Sequence, residues 1–260
     1  MLRSVSLIFA AVVILSCSNS PLQENITLPH KLETTMLPRW VYHLPDGSDY
    51  VLGIAPRSLD TGMMQESARE MAAIMYSRNH GSYTIDNTAI TAREDPVRSG
   101  SADFRLNVGS PDKAREYFDK LQLVDEAYSY EYYFGLFSLT GTKPEKKIRE
   151  KLVPNFPDWF SEREIVDLDV VIKTCAQDRS YDLVIAWDRA AENARYELAK
   201  YLEKQVQAAI ISLNEEIDKR IAIESNRKLV NMKITRSHIV TESHDNLLSY
   251  IVYLEMEMKK

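Results

Sequence analysis

One signature occurs twice in this chain, and it constrains the fold more than any other feature. Leu37-Pro38-Arg39-Trp40 returns as Phe156-Pro157-Asp158-Trp159, an apolar-Pro-charged-Trp opening. Self-similarity of this kind marks a repeated supersecondary unit. Each opening is followed by a short apolar run that ends near Arg-Ser, Tyr50–Ser58 (YVLGIAPRS) and Val170–Ser180 (VVIKTCAQDRS). Both runs are rich in β-formers and predict strands. Helices follow. Met64, Ala68, Met71 and Met75 recur at steps of four, three and four, and Trp187, Ala191, Ala194 and Leu198 repeat those steps. Each half then closes in β structure, Leu121–Leu139 and Lys233–Met258, with Leu123-Val124-Asp125-Glu126 parallel to Ile239-Val240-Thr241-Glu242.

The expectation is an α+β fold of two tandem units, 37–142 and 156–260, each of β-α-β-β type. The reason is physical: a helix with one apolar stripe needs a surface, and a small antiparallel sheet supplies it. Residues 143–155 are charged and hold Pro144 and Pro154, which predicts a linker, either a hinge or a bridging helix. The units differ in one respect. The first leaves its helix after His80-Gly81, wanders from Thr84 to Gly109, and adds a short helix behind the cap Ser110-Pro111-Asp112. The second has neither Gly nor Pro from Asp158 to Lys260, and its stripe continues through Leu202, Val206, Ala209, Leu213, Ile217 and Ile221. That pattern predicts one very long helix to about Ser225, about 60 Å in length. Its distal half must bury its stripe against the first unit or, as the alternative, against a second copy of the chain.

The first sixteen residues read as an export signal. Arg3 is the positive n-region, Val5–Leu15 is an apolar run too short to span a bilayer, and Ser16 is a small residue before the cut. Ile14-Leu15-Ser16-Cys17 resembles a bacterial lipobox, with the thiol of Cys17 as the acylated group. Leu15 is bulkier than the residue usual there, and a plain secretory signal is the bland alternative. Residues 17–36 are polar, contain Pro and lack periodicity, as a flexible tether does. By the sorting rule of such lipoproteins, Ser18 implies the outer membrane, with the folded part facing the periplasm. Without Arg3 the 32 basic residues fall to 31 against 38 acidic, a net charge of −7. That balance argues against nucleic acid as a partner. Beyond Cys17 there is a single cysteine, Cys175, so no internal disulfide is expected and packing must carry stability.

Pro-x-Trp before a strand, the Ala-rich helix Ala190–Val206 and the closing run Ile239–Met256 together resemble the Lpp-twenty family of bacterial outer-membrane lipoproteins, which includes flagella-associated members. The second unit matches better than the first. The resemblance implies a helix packed on an antiparallel sheet, an envelope location and no enzymatic activity.

Chemistry-bearing motifs are scarce. There is no Gly-rich phosphate loop, nucleophile elbow, Cys-x-x-Cys or His-Glu-x-x-His. His238, Glu242 and His244 share parity on a strand and could hold zinc, but His244-Asp245-Asn246 has turn character, so the expectation is no metal and no cofactor. Tyr128, Tyr130, Tyr132 and Phe134 follow period two, which would line one sheet face with rings. Such a face could stack on cell-wall glycan or another small ligand; cross-strand packing beneath the helix is the bland reading. Asp125, Glu126 and Glu131 invite a paired-carboxylate reading that nothing else in the sequence supports. The functional expectation is therefore a non-enzymatic envelope lipoprotein, held to the membrane by its N-terminal lipid, whose units contact other envelope proteins in structural or assembly work, a flagellar or secretion apparatus being one setting. The alternative is a periplasmic ligand-binding module.

Overall fold

The structure, a computed structural model, describes residues 36–47, 49–80, 84–85, 104–105, 111–144, 149–151, 156–161, 164–212, 231–244 and 247–259. In chain order the elements are β1 (Met36–Pro38), a 3-10 turn at Arg39–Val41, β2 (Tyr50–Pro56), α1 (Thr61–His80), β3 (Thr84–Ile85), β4 (Phe104–Arg105), α2 (Pro111–Lys120), β5 (Gln122–Tyr128) and β6 (Tyr132–Ser138). They continue with β7 (Arg149–Lys151), β8 (Ile165–Asp167), β9 (Val171–Ser180), α3 (Leu183–Ser212), β10 (Met232–His244) and β11 (Leu247–Lys259). The fold is mixed α+β. Two antiparallel sheets dominate it, ordered β2-β6-β5 and β10-β11-β9-β8, and β1-β7 and β3-β4 form two-stranded pairs. In both main sheets the last strand in sequence lies in the middle, beside the strand that precedes the helix.

The helix starts share a construction. In Arg57-Ser58-Leu59-Asp60, Ser58 Oγ accepts the Asp60 N–H at 3.3 Å, and Asp60 Oδ1 caps α1 by accepting the Met63 N–H at 3.1 Å. In Arg179-Ser180-Tyr181-Asp182, Ser180 Oγ accepts the Asp182 N–H at 3.2 Å, and Asp182 Oδ1 accepts the N–H groups of Val184 and Ile185 at 2.8 and 3.1 Å. Short polar side chains satisfy the first unpaired amides of each helix and so fix where it begins. The arginines also correspond. Arg57 Nη1 donates to the Ser129 carbonyl at 3.2 Å, and Arg179 reaches Ser249 Oγ and Glu242, each arginine tying its strand end to the following hairpin.

The stripes predicted from sequence face inward. Met64, Ala68 and Met75 are buried on α1, and Trp187, Ala191, Ala194, Leu198 and Leu202 on α3. α1 lies on one face of the first sheet, so close that a Cβ on Gly53 would sit 2.0 Å from the Ala68 carbonyl oxygen. Glycine at 53 is thus required by backbone approach. α3 runs thirty residues, Leu183–Ser212. Its expected continuation to Ser225, and hence its distal stripe, lies outside the described residues. In the stretch expected as a hinge or bridging helix, residues 149–151 are instead extended and pair with Met36–Pro38. β8, three residues long, is too short to leave a periodic signal.

Candidate functional site

The halves meet through one hydrophobic core that runs from Leu37 to Met258, and its polar contacts are specific. Every residue of β6 is buried, so both of its faces are covered. Gly53, Tyr133, Gly135 and Phe137 share the α1 face. On the other, the Tyr132 ring stands edge-on to Tyr250 at 5.4 Å, and its hydroxyl accepts the Leu183 N–H at the start of α3. Tyr250 donates to Glu131. Burial first, then that hydrogen bond, pushes the Tyr250 phenol far upward, which keeps it a donor.

A second polar seam joins the two long helices. Arg78 Nη1 reaches Asp188 Oδ1 at 2.6 Å and Glu192 Oε1 at 2.9 Å. Arg195 is fully buried, donating to Asn79 Oδ1 at 2.7 Å and to Glu192 at 2.8 Å. A buried guanidinium persists because its donors are matched, and it holds two helices in one register. The sequence carried a signal for it: position 195 falls within the apolar stripe, four after Ala191 and three before Leu198. Elsewhere the segment after the 3-10 turn seals part of the β10 edge, with the Ser237 N–H donating to the Tyr42 carbonyl at 2.8 Å.

The predicted ring face does not form as one face. A turn at Ser129–Glu131 separates β5 from β6, and Tyr128 pairs with Tyr133 across the hairpin, their rings 5.2 Å apart. Tyr128 and Tyr130 are exposed, whereas Tyr132 and Phe134 are buried on the opposite side of the sheet from Tyr133. Period two survives in sequence only because the tight turn holds one of the rings. The three carboxylates are likewise apart. Asp125 accepts the Trp40 indole N–H at 3.0 Å, Glu126 accepts from Tyr133 and Gln65, and Glu131 belongs to Tyr250.

His238 lies opposite Tyr253, and Glu242 is paired with Arg179 at 2.6 Å. The side chain of His244 lies outside what is described, as does Cys17. Among the described residues no three His, Cys, Asp or Glu side chains gather as a metal site. Cys175 is buried on the outer face of the second sheet with Phe160 and Tyr253, and burial raises its thiol pKa, as for a structural cysteine. The two signature tryptophans differ: Trp40 is in the main core, and Trp159 packs beside Phe160 on that outer face. No helix among the described residues is long and apolar enough to cross a membrane. Compared with known families, curated proteins and solved structures, the chain finds no match in any of the three.

Proposed function

We propose that this chain is a bacterial envelope lipoprotein, anchored through Cys17 and built to make protein contacts rather than to catalyse a reaction. The observation that carries the reading is the run Arg3 to Cys17, a short export signal that ends in a lipobox-like Ile-Leu-Ser-Cys and opens onto a polar tether. The outer membrane, from Ser18, is the location it favours, with other envelope proteins as partners and self-association through residues 206–221 as the second mode. Membership of the Lpp-twenty family is part of the proposal.

We read the two halves as diverged copies of one β-α-β-β unit. Support comes from the common strand order and from the Arg-Ser-x-Asp corner, which in both halves caps the helix and ties down the following hairpin. The unequal placement of Trp40 and Trp159 is then divergence within the pair. Cys17→Ser tests the anchor. Metabolic labelling with a palmitate analogue is expected to fall to background and the protein to leave the membrane fraction, with its circular dichroism unchanged. Undiminished labelling of the variant would sink the proposal.

A further inference from the structure

α3 covers one face of the second sheet, while the other face lies at the surface and has the make-up of a contact region. Strand register sets its side chains in rows, with Val240, Ile251 and Arg179 in one and His238, Tyr253 and Gln177 in the next. Phe160, Cys175 and Tyr253 form its buried centre, and Trp159, Val240 and Ile251 are half-buried around them. Phe156 stands edge-on to Phe160 and Tyr253 at 5.6 and 5.4 Å and is itself 59 % exposed. Ion pairs bound the cluster along the strands. Lys173 and Arg236 lie with Glu255 and Glu257 toward one end, and Arg179 with Glu242 toward the other. Aromatic side chains at the centre of a polar rim are the anatomy of a protein contact.

We propose that this face joins two copies of the chain across a two-fold axis. Charge selects the occupant. The chain carries 32 basic and 38 acidic residues, so two copies repel on the whole, whereas the ion pairs of this rim set three cations, Lys173, Arg179 and Arg236, against three carboxylates. A two-fold axis crossing the strands lays the end with Arg179 and Glu242 in one copy over the end with Lys173, Arg236, Glu255 and Glu257 in the other. Both signs are present at each end, so neither end repels its counterpart. Size limits the strength. Ten paired residues at about 3.3 Å and three strands about 4.8 Å apart make a face of about 33 Å by 14 Å, at the lower end of specific interfaces. The dimer is therefore weak, with a dissociation constant on the order of 10 µM. It uses a different surface from residues 206–221 and does not depend on the lipid anchor.

The test is light scattering of the full chain carrying Cys17→Ser, so that no lipid adds to the mass, from about 1 to about 200 µM, a range that brackets the expected constant. The average mass is expected to rise from monomer to dimer and to stop there, because a two-fold contact closes on itself. Phe156→Glu and, separately, Val240→Lys are each expected to weaken association about tenfold or more with circular dichroism unchanged, through loss of a central apolar contact. Leu59→Glu, at a fully exposed position before α1, is expected to leave the mass unchanged. A monomer throughout that range, as for a face that takes a different protein, would overturn the proposal. So would growth beyond the dimer, a dimer lost in Leu59→Glu, or a dimer untouched by Phe156→Glu and Val240→Lys, the last being the result if residues 206–221 make the contact.

Discussion

Three strands of the second sheet, β9-β11-β10, repeat the order β2-β6-β5 of the first, and the helix-starting corner recurs too, yet the two sheets are buried differently. In the first, β6 is covered on both faces, by α1 on one side and on the other by the start of α3, Tyr250 and their neighbours. In the second, α3 covers the inner face, and the outer face carries a small cluster of Phe160, Cys175 and Tyr253 flanked by charge. Lys173, Arg236, Glu255 and Glu257 lie at one end of that cluster, and Arg179 with Glu242 at the other. The central strand of the first sheet is therefore interior to the molecule, with the β5 edge partly exposed, while the second sheet has one face at the surface. Both sheets contribute to the shared core, and the second also presents an outer face.

The sharpest way to break that comparison is Trp187→Ala. Trp187 is 1 % exposed in the shared core, and its indole N–H has no partner among the described residues, so the loss is one of packing. A cost of about 3–5 kcal/mol is expected. Both halves should weaken together in one urea transition; a first sheet that stays folded while the second melts would show that the core is not shared.

Phe160→Ala probes the outer face instead. Phe160 belongs to the satellite cluster, with its ring 4.8 Å from Tyr253. A smaller loss, about 1–2 kcal/mol, is expected, in the ordinary range for point changes. If Phe160→Ala costs as much as Trp187→Ala, the outer face is as integral as the core and the contrast fails.

The smallest effect is a pH slope from the first half. Burial lowers the pKa of His80, which stacks on Tyr76 at 3.9 Å, below its ordinary 6.5, and burial with Arg39 and Arg236 lowers that of His43. Between the lowered folded value and 6.5 the unfolded chain binds a proton that the fold does not. Stability is therefore full above pH 6.5 and falls as pH drops through that window, flattening below the folded value. His80→Phe should reduce the slope in chemical denaturation measured from pH 7.5 to 5. An unchanged slope would assign the effect elsewhere.

These differences mark what was legible in the sequence. The helix stripes were, because Met64, Ala68 and Met75 or Trp187, Ala191 and Leu198 bury one face at a period that survives in a single sequence. Strands β2, β9, β10 and β11 were legible for a similar reason, as runs of β-formers. The ring face was misread because period two cannot distinguish one strand from two strands joined by a turn, and Ser129–Glu131 turns the chain. β8 and β7 are three residues each and owe their pairing to tertiary context. The Arg-Ser-x-Asp corner stood in plain view as a repeated tetrapeptide, but its role depends on where the carboxylates of Asp60 and Asp182 meet the helix amides. Arg195 was detectable as a charge within an apolar stripe with Glu192 three positions before it, whereas its other acceptor, Asn79, lies 116 positions away and no local pattern points to it.

The position of the central strands bears on how such a chain gets folded at all. β6 and β11 are each the last strand of their sheet to emerge in a vectorial process, yet each is the one on which its neighbours pair. Until β11 arrives, β9 has no partner on that side and α3 has no complete sheet to lie on; pairing Val171 with Lys259 closes a loop of 88 residues. Long closures of this kind slow folding. The second half is thus held open by its own topology until its last strand is in place, and its helix cannot settle before then.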